Sequence, residues 1–199
     1  FAGQCTNSGY QDGSPALFGY PQSIIKDVKE PEQLIVADLS WRALRSVDVR
    51  TRVVVTIVKA DVNFATISQD EQTGDLFVIA GNQIFRYIYQ SKMVQRLTGS
   101  RSVGYVDGYL HNCLFSNPSA LITLEQSSTL VADTGNDQIR IIDLDENATG
   151  TLAFQLKECT TSSDVIQRMH CSLLRRPYSI LRLNNTLLIG KRDRIVASK

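Results

Sequence analysis

The chain has 199 residues, 43% of them hydrophobic and 21% charged, with a formal net charge of +1. That is enough apolar side chain to bury a core as one compact unit or a closed array. No apolar run approaches the roughly 18 residues a membrane-spanning helix needs, so membrane insertion is not expected.

Taken in order, the chain predicts strands near Pro21–Asp27, Gln33–Asp38, Arg42–Asp48 and Arg52–Ile57. Leu34-Ile35-Val36 and Val53-Val54-Val55 are rich in the β-branched and apolar residues that buried strands require. A shorter unit follows, with Gly74–Ala80 and Gln83–Tyr89 as strands and Gly81-Asn82 as the hairpin turn between them. Next, Gly104-Tyr105 and Asp107-Gly108 mark a loop before the apolar run Ala120-Leu121-Ile122, and Thr129–Asp133, Gln138–Asp143 and Gly150–Leu156 read as strands. The last stretch carries an insertion, Cys159–Cys171, then strands around Tyr178–Leu181, Leu187–Gly190 and Arg194–Val196.

The third stretch repeats the first. Gly9 and Gly104, Asp12 and Asp107, Asp38 and Asp133, Arg45 and Arg140, and Asp48 and Asp143 are each separated by 95 positions. Phe18 and Phe115, like Pro21 and Pro118, are separated by 97, so one loop differs by two residues. Such self-similarity decides the architecture before any single residue does.

The repeated pattern resembles the NHL repeat, most specifically in VADTGNDQIRIID at 131–143. Residues 3–48 match it too, but carry Leu39-Ser40-Trp41 where the family favours T-G-N. The resemblance implies an all-β, NHL-type β-propeller or propeller fragment of about four blades with up to four antiparallel strands each. The blades fall at about 1–58, 59–98, 99–157 and 158–199. Because such rings are commonly closed by a strand lent from one terminus, residues 1–3 are the candidate to complete the last blade. Propellers of this family usually have six blades, which leaves a fragment of a larger ring as the other reading. The chain begins at Phe1 without a signal-peptide pattern, which suggests a mature product or a piece of something longer.

Candidate site residues divide into structural and functional ones. Asp38 and Asp133 are expected to cap the turns that follow them, and Asp12-Gly13 and Asp107-Gly108 to be turn dipeptides. Arg45, Arg86 and Arg140 occupy matching positions and, as the NHL resemblance implies, suggest a repeated ion pair or hydrogen bond to a neighbouring blade. Trp41 is the best candidate for an exposed aromatic contact, with folding back over the Leu39 side as the competing expectation. Arg175, Arg176, Lys191, Arg192 and Arg194 belong to a stretch, 168–199, with eight basic residues against one acid. They make a candidate patch for acidic protein or glycan surfaces.

Four cysteines do not make a disulfide scaffold, and no C-x-x-C pair is present. Cys159 and Cys171 are expected to be bonded around the insertion, which would contribute roughly 2–4 kcal/mol. Cys5 and Cys113 lie in equivalent loops two blades apart, and their pairing is undecided. The sequons at Asn147 and Asn184 fall at turns and, beside the even cysteine count, favour a secreted or cell-surface setting.

His111 and His170 are the only histidines, too few for a three-histidine zinc centre. No nucleophile elbow, phosphate loop or zinc-protease motif is present, so no cofactor, metal or catalytic residue is expected. The reading is a non-catalytic extracellular interaction module whose partners are proteins, including other domains of a larger chain or assembly, and not nucleic acid. A calcium-dependent lactonase-like propeller and an RNA-binding NHL domain are the alternatives.

Overall fold

In the computed structural model the described residues are 2–4, 7–124, 127–152, 176–183, 186–190 and 195–198. They form two compact units, Phe1–Thr98 and Gly99–Lys199. Nearly all regular structure is antiparallel β-sheet, as expected of blades.

In the first unit, β1 (Pro21–Lys26), β2 (Gln33–Asp38), β3 (Ala43–Asp48) and β4 (Val54–Lys59) pair in sequence order. A second sheet follows with the same order, from β5 (Ile67–Gln69), β6 (Leu76–Ala80), β7 (Gln83–Ile88) and β8 (Met93–Gly99). The fourth strand begins at Val54 rather than Arg52 because the Asp48 carboxylate accepts the Arg50 and Thr51 N–H groups, and Arg52 takes a left-handed φ of 62°. A turn held that way consumes the residues the sequence offered to the strand.

In the second unit, β9 (Gly108–Tyr109) joins the sheet of β10 (Ala120–Thr123), β11 (Ser128–Asp133), β12 (Gln138–Asp143) and β13 (Ala148–Thr151). The order is β10-β11-β12-β13-β9, so a piece of the entry loop covers the outer edge. The first blade does the same with a single bridge between Gly13 and Val54. The last sheet holds β14 (Ser179–Leu183), β15 (Thr186–Gly190) and β16 (Ile195–Ser198).

Within each unit, alternation along the strands puts one face of the first sheet against the second. Ile35, Ala37 and Leu44 of the first blade pack with Phe64, Leu76, Val78 and Tyr87 of the second. Leu130, Ala132 and Ile139 of the third pack with Ile189 of the fourth in the same way.

The second blade departs from the repeat at its hairpin. The first blade turns through four residues, with Asp38 opposite Ala43, whereas Ala80 lies opposite Gln83 across only Gly81-Asn82. A turn shorter by two residues keeps the phase of the alternation, but it places Phe85 opposite Val78 where Arg45 lies opposite Val36. Arg86, one residue further along, points to the other face. Arg86 therefore does not share the place of Arg45 and Arg140. Arg45 sits on the face turned away from the next blade. Arg86 sits opposite Phe77, on the face turned away from the preceding blade, and pairs with Asp75 at 2.6 Å.

Candidate functional site

The two blades that keep the full repeat each bury one arginine completely. A buried guanidinium is tolerable only when its donors and charge are matched. Arg45 donates to the carbonyls of Gln11 and Leu17, both at 2.6 Å, and to Asp12 at 2.8 Å, with Asp38 at 3.5 Å. Arg140 donates to the carbonyls of Val106 and Leu114 at 2.7 and 3.1 Å, and to Asp107 and Asp133 at 2.8 Å. Aromatic rings flank both cations, Tyr10 and Phe18 around Arg45 and Tyr105 and Phe115 around Arg140. Each anchor thus ties the entry loop to the second and third strands of its blade.

The carboxylates complete the frame. Asp38 accepts the Gly19 and Tyr20 N–H groups, each at 3.0 Å, and Asp133 accepts the Ser116 N–H at 2.7 Å. Burial pushes the Asp133 carboxyl above its ordinary value, against the pull of Asn136, Ser116 and Arg140. Burial also pushes the more exposed Asp12 up, but the Thr56 N–H and hydroxyl and the Arg45 guanidinium outweigh it and hold it below 3.8.

The signs follow from linkage. The contribution of Asp12 is present above 3.8 and is lost as pH falls through its depressed folded value. That of Asp133 is present in acid and fades as pH rises through its raised value. Asp12→Asn should accordingly be less stable than wild type at neutral pH, with the gap narrowing below pH 3.8. Thermal midpoints of both proteins across that range measure it, and a gap independent of pH would contradict it.

The first blade breaks the repeat at one position. In the third blade Asn136 donates to the Gly104 carbonyl and to Asp133, both at 2.8 Å. The corresponding residue of the first blade, 95 positions earlier, is Trp41. An indole cannot make those two bonds together, and the Arg45–Asp38 contact is correspondingly looser. Trp41 instead lies over Gly19, where an added Cβ would come within 2.5 Å of the indole nitrogen. It packs at 5.7 Å from the ring of Tyr10, and 38% of its surface stays open. The surface it folds onto is Gly19 rather than the Leu39 side.

Lys59 completes this platform, its ammonium 3.6 Å from the Tyr10 ring centroid. A bulge in the pairing of β3 with β4 sets Thr56 opposite Arg45 and Lys59 opposite Ala43. Both side chains therefore reach the Arg45 side, where Thr56 bonds the Tyr10 hydroxyl at 2.7 Å. Exposed Arg42 follows Trp41 in a left-handed conformation. Gly19→Ala should displace the indole from this seat. Because Trp41 is the sole tryptophan, its emission maximum reports the change directly, and an unchanged spectrum would show that the seat is looser than described.

Four of the remaining sequence candidates lie among the described residues. Arg176 is exposed, with its backbone N–H on the Asp137 carboxylate at 2.6 Å. Asn147 is exposed at a turn with φ 52°, a conformation that itself favours asparagine. Cys113 is a free, buried thiol that donates to the carbonyls of Gly108 and Tyr109. His111 stacks on Tyr109. Cys5, Cys159, Cys171, His170, Asn184, Arg175, Lys191, Arg192 and Arg194 lie outside the described residues. Among the described residues no group of three or more His, Cys, Asp or Glu could hold a metal ion, and no helix is long and apolar enough to cross a membrane.

No protein-family model matches the sequence, and no curated protein matches it. Solved structures do. An auxiliary nutrient binding protein from Bacteroides ovatus is similar over 100% of this chain and 55% of its own, with a TM-score of 0.71 at 16% identity. A streptogramin B lyase is similar over 94% of this chain and 57% of its own, with a TM-score of 0.59 at 12% identity. A chain of a nidogen/laminin complex is similar over 89% and 74%, with a TM-score of 0.56 at 11% identity. The chain thus spans little more than half the length of the first two. The fold is that of a β-propeller. At these identities the likeness concerns the fold alone.

Proposed function

We propose that the chain is a non-catalytic, extracellular interaction module of the NHL type. It docks acidic protein or sulfated glycan surfaces through the platform of Tyr10, Trp41 and Lys59. The observation that carries this reading is the exchange at one repeat position. Where the third blade has an asparagine that holds its frame together, the first blade gives up both hydrogen bonds and keeps a partly exposed indole. A local rule broken without a structural gain is the mark of a functional position.

The chemistry of the platform selects the partner. Trp and Tyr supply broad contact area at small entropic cost, and Lys59 with Arg42 favours an anionic face. The structural neighbours support a binding role, since one is a nutrient binding protein and another is part of a nidogen/laminin complex. An extracellular setting also accommodates a Cys159–Cys171 bond and glycans at Asn147 and Asn184. The basic stretch with Arg175, Arg176, Lys191, Arg192 and Arg194 would add a second anion-seeking surface, screened over about 8 Å at physiological salt.

Trp41→Asn separates the two roles of the position. It should restore the lost hydrogen bonds, leaving stability unchanged or raised by about 0.5–1.5 kcal/mol. It should also weaken retention on immobilised heparin and on an acidic protein column. Thermal melts by circular dichroism and salt elution profiles measure the two effects. A variant that elutes from both at the same salt as wild type would sink the platform as the docking site.

A further inference from the structure

The first blade buries an aspartate that has no arginine. Asp38, Asp75 and Asp133 are the other buried aspartates among the described residues, and each has one, Arg45, Arg86 and Arg140 in turn. Asp27, just after β1, is only 6% exposed and makes no ion pair among the described residues. One of its carboxylate oxygens accepts the Lys29 N–H at 2.8 Å and the Gln69 amide at 3.0 Å. Among the described residues no hydrogen bond reaches the other oxygen. A buried carboxylate with half its acceptor capacity unused and no counter-charge is costly.

The third blade does without that cost. Its counterpart of Asp27 is Leu124, because the two donate their N–H groups to matching carbonyls, those of Gln33 and Ser128. Leu124, Ile141 and Leu152 all pack on the cluster that joins the third blade to Ile189 of the fourth. The counterparts of Ile141 and Leu152, 95 positions earlier, are Ser46 and Ile57. Ser46 lies opposite Ile35 as Ile141 lies opposite Leu130. Two of the three apolar side chains that fill the one contact are thus an aspartate and a serine in the other. Asp27, Ser46 and Ile57 line a hollow of about 240 Å³ between the first and second blades, with Leu76, Tyr87 and Tyr89 across from them. Tyr87 is 2% exposed, and its hydroxyl has no hydrogen-bond partner among the described residues.

The charge of the hollow selects the ligand. Burial, the neighbouring Tyr89 and the Asp27 carboxylate together push the Tyr87 hydroxyl above its ordinary value, so it stays a neutral hydrogen-bonding group. Exposed Lys92, at the rim, holds its ammonium 3.7 Å from the Tyr89 ring centroid, so this ring already receives one cation. Glu30 also lines the hollow, so two carboxylates face one ammonium and the lining is net negative. We propose that the hollow binds a small protonated amine. Its ammonium sits on the free oxygen of Asp27 and donates to the Tyr87 hydroxyl and to Ser46, supplying the missing counter-charge. Its short hydrocarbon chain lies along Ile57 and Leu76.

Saturation-transfer NMR titrations of the 199-residue chain test this with n-butylammonium, n-butanol and methyl glucoside at one ionic strength. The wild type should saturate with n-butylammonium and bind the neutral alcohol at least about tenfold more weakly, since only the amine carries the charge that Asp27 lacks. Asp27→Asn keeps an acceptor for Lys29 and Gln69 but removes the charge, and should cost a similar factor. Tyr87→Phe deletes a hydroxyl that no described protein group uses. It should leave the thermal midpoint in place and weaken the amine several-fold. Ser46→Ile installs the residue of the third blade, and should abolish binding while circular dichroism shows the fold intact. A wild type that never saturates with n-butylammonium, equal affinity for n-butanol, or tighter binding of methyl glucoside would overturn the proposal. So would wild-type affinity in folded Tyr87→Phe or Asp27→Asn protein.

Discussion

Replacing Arg140 with alanine is expected to destabilise the second unit by about 3–5 kcal/mol, because it leaves two carboxylates at a buried site without their cation. Arg140 is fully buried, and the Asp133 side chain beside it is too. The loss would also strip the bonds that tie the Val106 and Leu114 carbonyls to β12, so the entry loop should loosen along with the core. Arg86→Ala is the comparison. That side chain is 27% exposed and serves one carboxylate, the buried Asp75, so a smaller loss of about 1–3 kcal/mol is expected. Arg45→Ala should fall below Arg140→Ala, since the Arg45 Nε is buried without a partner and its contact with Asp38 is long. Urea denaturation followed by circular dichroism ranks the three. Equal losses for Arg140→Ala and Arg86→Ala would mean that the buried frame contributes no more than a single half-buried ion pair.

Phe64→Ala is expected to cost about 3–5 kcal/mol, the usual range for deleting a fully buried phenyl ring. Phe64 precedes β5, is completely buried, and meets Phe85 edge-on with ring centroids 6.4 Å apart. It belongs to the cluster that also contains Ile35, Ala37 and Leu44 of the first blade. Its removal should therefore lower the urea midpoint reported by Trp41, which stands in the first blade, as much as the midpoint reported by circular dichroism. Repeat arrays are held by such nearest-neighbour faces. A Trp41 transition that stays in place while the other moves would show the two blades unfolding independently.

The parts of this molecule that were legible in the sequence are those copied at a fixed interval. The 95-residue spacing picked out Arg45 and Arg140 and their carboxylates, but Asp38 and Asp133 do not cap the turns that follow them: their carboxylates accept the Gly19, Tyr20 and Ser116 N–H groups of the entry loops instead. It also exposed Trp41 as the odd residue, because its counterpart is Asn136. What stayed hidden depends on the phase of the strands. Arg86 looks like a third anchor until the pairing puts Phe85, opposite Val78, in the place that Arg45 holds opposite Val36, one residue before Arg86. Lys59 was missed because its approach to Tyr10 needs the bulge in β4, and periodicity cannot announce a bulge. The entry loop was readable as a loop, but not as the cover of an outer strand. That role depends on one pair of backbone hydrogen bonds between Gly13 and Val54.

The cover over each outer strand also bears on how such a chain can grow. Tyr10 and Thr56, like Tyr105 and Thr151, meet across 46 positions, so loop, anchor and edge cover are all encoded within one short stretch. A gene segment of that length, copied in tandem, carries its own fastening and arrives with its rim already sealed. Only the flat apolar faces then need a neighbour, and another copy of the same segment provides one. Lengthening by duplication is mechanically inexpensive for this design, whereas losing half a segment would expose a raw strand and orphan a buried charge in a single step.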